Sequence, residues 1–178
     1  MADARRAETL HEWTVAGAIV ERPAPGAATD VLLVRNVRRD GSTDWSPPGG
    51  VIEVHAGEVL LDGLTREVAE ETGLVVTAWT GPLYEVTVTA PGLGWRLRVE
   101  VHRADAWEGV LAVDDPDGIV TDAHFVHVGA CAERCGGAHP WVHEPLADWL
   151  GERWDGSRPY GYRVDGARRD LLHVTRVP

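Results

Sequence analysis

Lysine is absent from this chain of 178 residues, so its 17 strongly basic side chains are all arginines. That excludes Schiff-base chemistry on a lysine and the lysine of a phosphate-binding P-loop. Arginine remains as the phosphate clamp. Cysteine is scarce: Cys131 and Cys135 allow one bridge at most, so no disulfide framework holds the fold. No apolar run is long enough to cross a bilayer, which argues against a membrane partner. In the opening segment "MADARRAETLHEWTVAGAIV" the apolar part is short and follows Glu8, His11 and Glu12. It reads as the approach to a first strand rather than a secretory signal, which places the protein in the cytoplasm. Positive charge is outweighed, with 28 acids and a net charge of −11. Such a surface repels a phosphate backbone and argues against a nucleic acid polymer as partner. A nucleotide would be repelled too, unless a divalent cation stood between them.

What is present suffices for one domain spanning residues 1–178, since 44% of the chain is apolar. Trp13–Val20 and Val31–Val37 read as a strand hairpin around the loop "ERPAPGAATD", and "RRDGSTDWSPPGG" as a second loop. Gly57–Thr72 is the strongest helix: Leu61, Leu64 and Val68 share a stripe and Gly73 follows as a stop. Strands follow in "LVVTAW", "LYEVTVTA" and "WRLRVEVH", the last two with strict period-two alternation. "DAWEGVLAVDDPDG" reads as a loop, "IVTDAHFVHV" as a strand, and "HEPLADWLGERW" as a helix with Pro145 near its first turn. "LLHVTRV" would be a final strand. The order implies a mixed α/β (α+β) sandwich with helices packed on sheets.

From Gly151 onward, six arginines face four acids, so this tail is basic on an acidic body. It would dock on its own chain or pair subunits into a homodimer; both stay open. Cys131, Cys135, His139 and His143 recur at every fourth position, a spacing that invites zinc. Gly136-Gly137 and Pro140 interrupt any helix that would align them, so reduced structural cysteines are the stronger reading.

The chemistry concentrates between Pro47 and Leu74. Glu67, Glu70 and Glu71 stand at i, i+3 and i+4, neighbours on one helix face, where like charges repel by a few tenths of a kcal/mol per pair. A hard cation among them reverses the sign of that effect. Arg66 and Glu70 are four apart and can pair. Gly49 and Gly50 let the backbone come close, so a carbonyl can join a metal shell. Taken alone, "EVAEE" also suits a solvated helix face. The longer pattern tips the balance: Gly-Gly after proline, Glu58, seven residues, then Arg-Glu-x-x-Glu-Glu-x-Gly.

This segment resembles the signature of the Nudix hydrolases, through Glu58, Arg66, Glu67, Val68, Glu70, Glu71, Gly73 and Leu74 at the family's spacing. It departs in its first gap, where Gly50 precedes Glu58 by seven intervening residues against the family's five. We read Val54 and His55, or a pair close to them, as a two-residue insertion. "DWSPPGG" resembles the usual lead-in, while the region from about residue 140 to 178 lies outside the motif.

The resemblance implies a Nudix-type α/β/α sandwich with a mixed sheet. It implies hydrolysis of the pyrophosphate bond of a nucleoside diphosphate linked to another moiety, with Mg2+ or Mn2+ as cofactor and a nucleotide-type small molecule as substrate. Cations are needed because attack by water adds charge to an anionic group. By the same resemblance Glu67, Glu70, Glu71 and the Gly49 carbonyl would hold metal, Arg66 would orient a glutamate, and Glu58, Gly50 and Gly73 would support loop and helix. The base is a box glutamate, Glu70, or a loop carboxylate among Asp114, Asp115 and Asp117, of which Asp115 is chosen. Arg35, Arg38 and Arg39, at the end of a strand, are candidates to grip a phosphate, and Trp45 to stack on a base. Two alternatives are a catalytically silent nucleotide-sensing domain and, less favoured, an isopentenyl-diphosphate isomerase. Nucleoside triphosphates, ADP-ribose and nucleotide sugars all stay open as substrates.

Overall fold

A computed structural model of the chain describes residues 10–166 and 172–178. Its elements in order are β1 (His11–Ala24), β2 (Ala28–Val37), β3 (Thr43–Ser46), β4 (Gly49–Val51), α1 (Leu60–Thr72), β5 (Leu74–Ala90), β6 (Trp95–Gly109), β7 (Val120–His127), α2 (Cys131–Arg134), α3 (Pro140–Glu152), β8 (Arg158–Asp165) and β9 (His173–Val177).

The sheet is mixed. β1 runs parallel to β6 and β5 parallel to β8, while β5–β6, β8–β9, β2–β3 and β2–β7 are antiparallel. β1 and β2 form the expected hairpin only at their far ends, from Glu21↔Val31 to Ala24↔Ala28. Before that point they diverge, β1 toward β6 and β4, β2 toward β3 and β7.

The divergence explains the continuous apolar run in β2. Val31 and Leu33 pack into one core with Ile19, Tyr84, Leu146 and Trp149. Leu32 and Val34 pack into the other with Ala18, Val20, Leu64 and Val68. Successive side chains of a strand point to opposite faces, so a strand covered on both faces must be apolar throughout. The sheet is thus sandwiched between α1 on one side and α3 on the other, the α/β/α arrangement expected.

Several boundaries differ from the sequence reading. α1 begins at Leu60 rather than Gly57, because Gly57, at φ 88°, closes a 3₁₀ turn over Val54–Ala56, and the extended Val59 caps the helix. The presumed loop around Asp44 contains β3 and β4, and "ERPAPGAATD" is almost all strand apart from the turn Pro25–Ala27. "DAWEG" belongs to β6, pairing with the start of β5 as far as Gly109↔Leu74. α3 starts at Pro140, which takes the first-turn role assigned to Pro145; Pro145 lies inside the helix, buried. The described parts of the basic tail pack on their own chain. β9 pairs with β8, and Arg176 reaches Asp148 at 3.6 Å and Glu144 at 3.8 Å.

Candidate active site

α1 presents its carboxylates because the stripe beside them is anchored: Leu64 and Val68 are fully buried, and Glu71, seven residues beyond Leu64, lies along the same stripe. Gly73, at φ 73°, ends the helix, its N–H donating to the Ala69 carbonyl, and releases the chain into β5. The strand pairing Gly17↔Gly49 and Ala16↔Gly50 brings β4 across this helix. Glycine is required at Gly49, where backbone closes in, whereas at Gly50 a side chain would displace the end of Glu67. A Cβ at Gly50 would collide with the Glu67 carboxylate, and Gly49, at φ 143°, would drive one into the Ala16 carbonyl.

Arg66 organises the acids. Its Nε and Nη2 donate to Glu58 at 2.9 and 3.3 Å. Its Nη1 donates to Glu67 at 2.9 Å and to Glu70 at 3.0 Å. Glu58 also accepts the Glu53 N–H at 2.8 Å, so one guanidinium ties the loop to the helix. These bonds hold the Glu58 carboxyl below its ordinary range. Glu71 is almost enclosed and accepts the Gly49 N–H at 2.8 Å. Burial pushes its carboxyl up to about 8 against that hydrogen bond, and Glu67, Asp115 and Glu70 add to the rise. Burial also raises Glu67, against the opposing effect of Arg66.

Glu67 and Glu71 open into a cleft of about 510 Å³. Glu53, Glu58, Asp115 and Asp117 line it as well, with Arg38 and Arg66 as its only cations among the described residues. Glu70 stands outside this lining, partly exposed beside it. Asp115 is held by backbone: one oxygen accepts the Asp117 N–H at 3.1 Å, the other those of Ile119 and Val120 at 2.8 Å each.

Arg38 reaches the cleft with its guanidinium braced on Asp44 at 2.6 and 2.8 Å. Asn36 donates to Asp44 and to Ser46, each at 2.9 Å. Sequence reasoning passed over Asn36 and Asp44. The available signal was a polar residue inside the apolar run of a central strand. Arg35 and Trp45 are cross-strand partners in β2 and β3 and line a separate hollow with His124 and Arg134. Beside the acidic cleft lies an apolar pocket of about 150 Å³ flanked by Tyr84 and Trp141, which shares Ser46, Gly49 and Val142 with it.

Among the described residues, no three His, Cys, Asp or Glu side chains are already gathered as a metal-binding group. Arg66 Nη1 bridges Glu67 and Glu70, and Glu71 is turned to Gly49. The donor set nevertheless suits a hard cation: carboxylate oxygens only, partly desolvated, in a cleft with more acids than arginines. The Cys131–His143 series is arranged differently. Both thiols are fully buried, and burial pushes Cys131 up to about 11 and Cys135 up to about 12. His139 stacks on Trp141 at 4.1 Å between ring centroids.

The sequence model of the NUDIX domain matches residues 12–144. No curated protein is a significant match. Among solved structures, the E. coli ORF135 protein is 18% identical with a TM-score of 0.63, covering 82% of this chain and 96% of that one. The NUDIX domain of Shewanella oneidensis NrtR, complexed with ADP ribose, is also 18% identical at a TM-score of 0.63, covering 80% and 88%. A MutT protein from Bacillus halodurans is 20% identical at 0.61, covering 92% and 97%. At such identities these likenesses speak for the fold. The family match spans most of the chain, including every residue of the carboxylate helix and its glycine approach, so the chain belongs to the NUDIX domain family, as a pyrophosphohydrolase of nucleoside diphosphate derivatives in general.

Proposed function

We propose that the protein hydrolyses the pyrophosphate bond of a nucleoside diphosphate linked to another moiety, with Mg2+ or Mn2+ held by Glu67, Glu70, Glu71 and the Gly49 carbonyl. The observation that carries this reading is the excess of carboxylates in one cleft with Arg38 at its wall. An anionic substrate would be repelled from that cleft unless cations came with it. Bound there, a divalent cation would supply charge neutralisation at the phosphates.

The protein's own groups have distinct tasks in this reading. Arg66 holds Glu67 and Glu70 in orientation and would yield them to a bound cation. Arg38, pre-ordered by Asp44, faces a phosphate oxygen. The apolar pocket flanked by Tyr84 and Trp141 takes a flat or apolar part of the substrate. Glu70 is favoured over Asp115 to take the proton of the attacking water. Glu70 keeps an oxygen clear of Arg66, whereas both oxygens of Asp115 already accept backbone N–H groups. Asp115 then shapes the loop that walls the cleft.

A silent sensing domain would tolerate loss of the box glutamates, and all are kept. An isomerase would need a cysteine in the pocket, but Cys131 and Cys135 belong to the core on the α3 side and line neither the cleft nor the apolar pocket. The test is release of phosphate or nucleoside monophosphate from a panel of nucleotides with Mg2+ or Mn2+, comparing wild type with Glu70→Gln and Glu71→Gln. Wild-type rates in both variants would show the assignment to be wrong.

A further inference from the structure

The face of β3, β2 and β7 that carries α2 holds a second charged hollow, about 630 Å³, unrelated to the carboxylate helix. Register sets one row across three strands: Trp45 pairs with Arg35, and Arg35 with Asp122. The next residues along, Asn36 and Asp44, belong to the cleft side, so the same two strands serve both faces. Arg134 of α2 closes the hollow, its guanidinium 4.9 Å over the Trp45 ring, and His124 lies 5.6 Å from that ring on its own strand.

The arginines here are unusual within this molecule. Among the described residues, Arg35, Arg39 and Arg134 are the arginines without a carboxylate in ion-pair contact, and two of these three share the hollow. The acid at its wall, Asp122, is already engaged, accepting from His124 at 2.9 Å and from the Ala123 N–H at 2.9 Å. In a chain of net charge −11, two guanidinium groups thus line one concavity with no acid of the described residues in ion-pair contact. Their planar forks match the oxygens of a phosphate group.

We propose that this hollow is an anion site for a phosphate dianion, free or as the terminal group of a monoester, distinct from the acidic cleft. Trp45 acts as a rigid wall, since Arg134 and His124 both lie against its ring; the ligand is held by Arg35, Arg134 and the His124 edge. This site stands independently of the hydrolase reading, because it needs no divalent cation.

The experiment is calorimetric titration of inorganic phosphate, and separately of adenosine monophosphate, into the full chain at low salt. The protein is first stripped of divalent cations on a chelating resin, which leaves the acidic cleft repulsive to both probes. Saturable binding in wild type, weakened about tenfold or more by Arg35→Ala and by Arg134→Ala, is expected. Tighter binding of adenosine monophosphate would identify a monoester as the preferred source, and equal binding the free ion. No saturable binding of either probe, or wild-type binding in both variants, overturns the proposal. Should an alanine variant lose its cooperative unfolding transition, Arg35→Gln and Arg134→Gln replace it. In wild type the His124 ring resonances must move on phosphate titration, and their failure to move is equally fatal.

Discussion

The Gly49 N–H donates to Glu71 Oε2 at 2.8 Å, joining β4 to the last turn of α1. The carboxylate there is nearly enclosed, and burial, joined by three acidic neighbours, raises its proton affinity against the pull of that bond. Stability and local backbone geometry are therefore linked at this point, and in the proposed function metal affinity is linked to them as well.

The pH dependence of stability follows. Glu71 has a folded-state pKa of about 8, above its ordinary 4.5. A raised pKa means the folded state holds the proton more tightly. The contribution is complete below about 4.5 and is lost as pH rises through about 8, at up to roughly 1.4 kcal/mol per pH unit. In cation-free buffer the unfolding midpoint should fall over that interval, and Glu71→Gln should flatten the fall. Added Mg2+ or Mn2+ should restore wild type at the alkaline end more than the variant. A midpoint that is flat in wild type would contradict this account.

Gly50→Ala should damage the site out of proportion to its size. The added methyl meets the Glu67 carboxylate, which Arg66 also holds from the other side. We expect about 1–3 kcal/mol of lost stability and a fall in kcat. Thermal melts and initial rates on the same preparation would show both; an unchanged kcat would mean Glu67 has room to move.

Removing the guanidinium in Arg66→Ala frees Glu58, Glu67 and Glu70 together. Activity should drop on the order of 10–100-fold, with a higher cation concentration needed for half-maximal rate. Arg66→Lys should recover little, since an ammonium cannot reproduce the fork that spans loop and helix. Steady-state rates against Mn2+ concentration report both effects.

Arg38→Ala should raise KM about tenfold with a smaller change in kcat, the signature of a lost phosphate contact. Asp44→Asn should move KM in the same direction more weakly, because Asn36 continues to hold the position while the charge that orients Arg38 is gone. A kcat effect without a KM effect would place Arg38 nearer the reacting atoms than the phosphate tail.

The carboxylate helix was legible in the residues themselves because helical spacing is local: i, i+3 and i+4 face one way wherever the helix sits. The alternation in β5 and β6 and the αL stop at Gly73 were legible for the same reason. The neighbours of Arg35 and Arg38 were not. They stand three residues apart, yet one lines a hollow beside α2 with Trp45 and the other the acidic cleft. Nor could spacing reveal that Asn36 and Asp44 brace Arg38, or that the tail returns through β8 and β9 to extend the sheet.

The sequence alone determined which side chains share a surface of α1, because backbone periodicity and hydrogen bonding within a helix depend only on near neighbours. The tertiary structure decided which of them are desolvated, which strand face each arginine occupies, and which acids share one cleft. Those properties depend on burial and on pairings between residues distant in the chain, such as Gly49 with Glu71, and no short-range pattern encodes them.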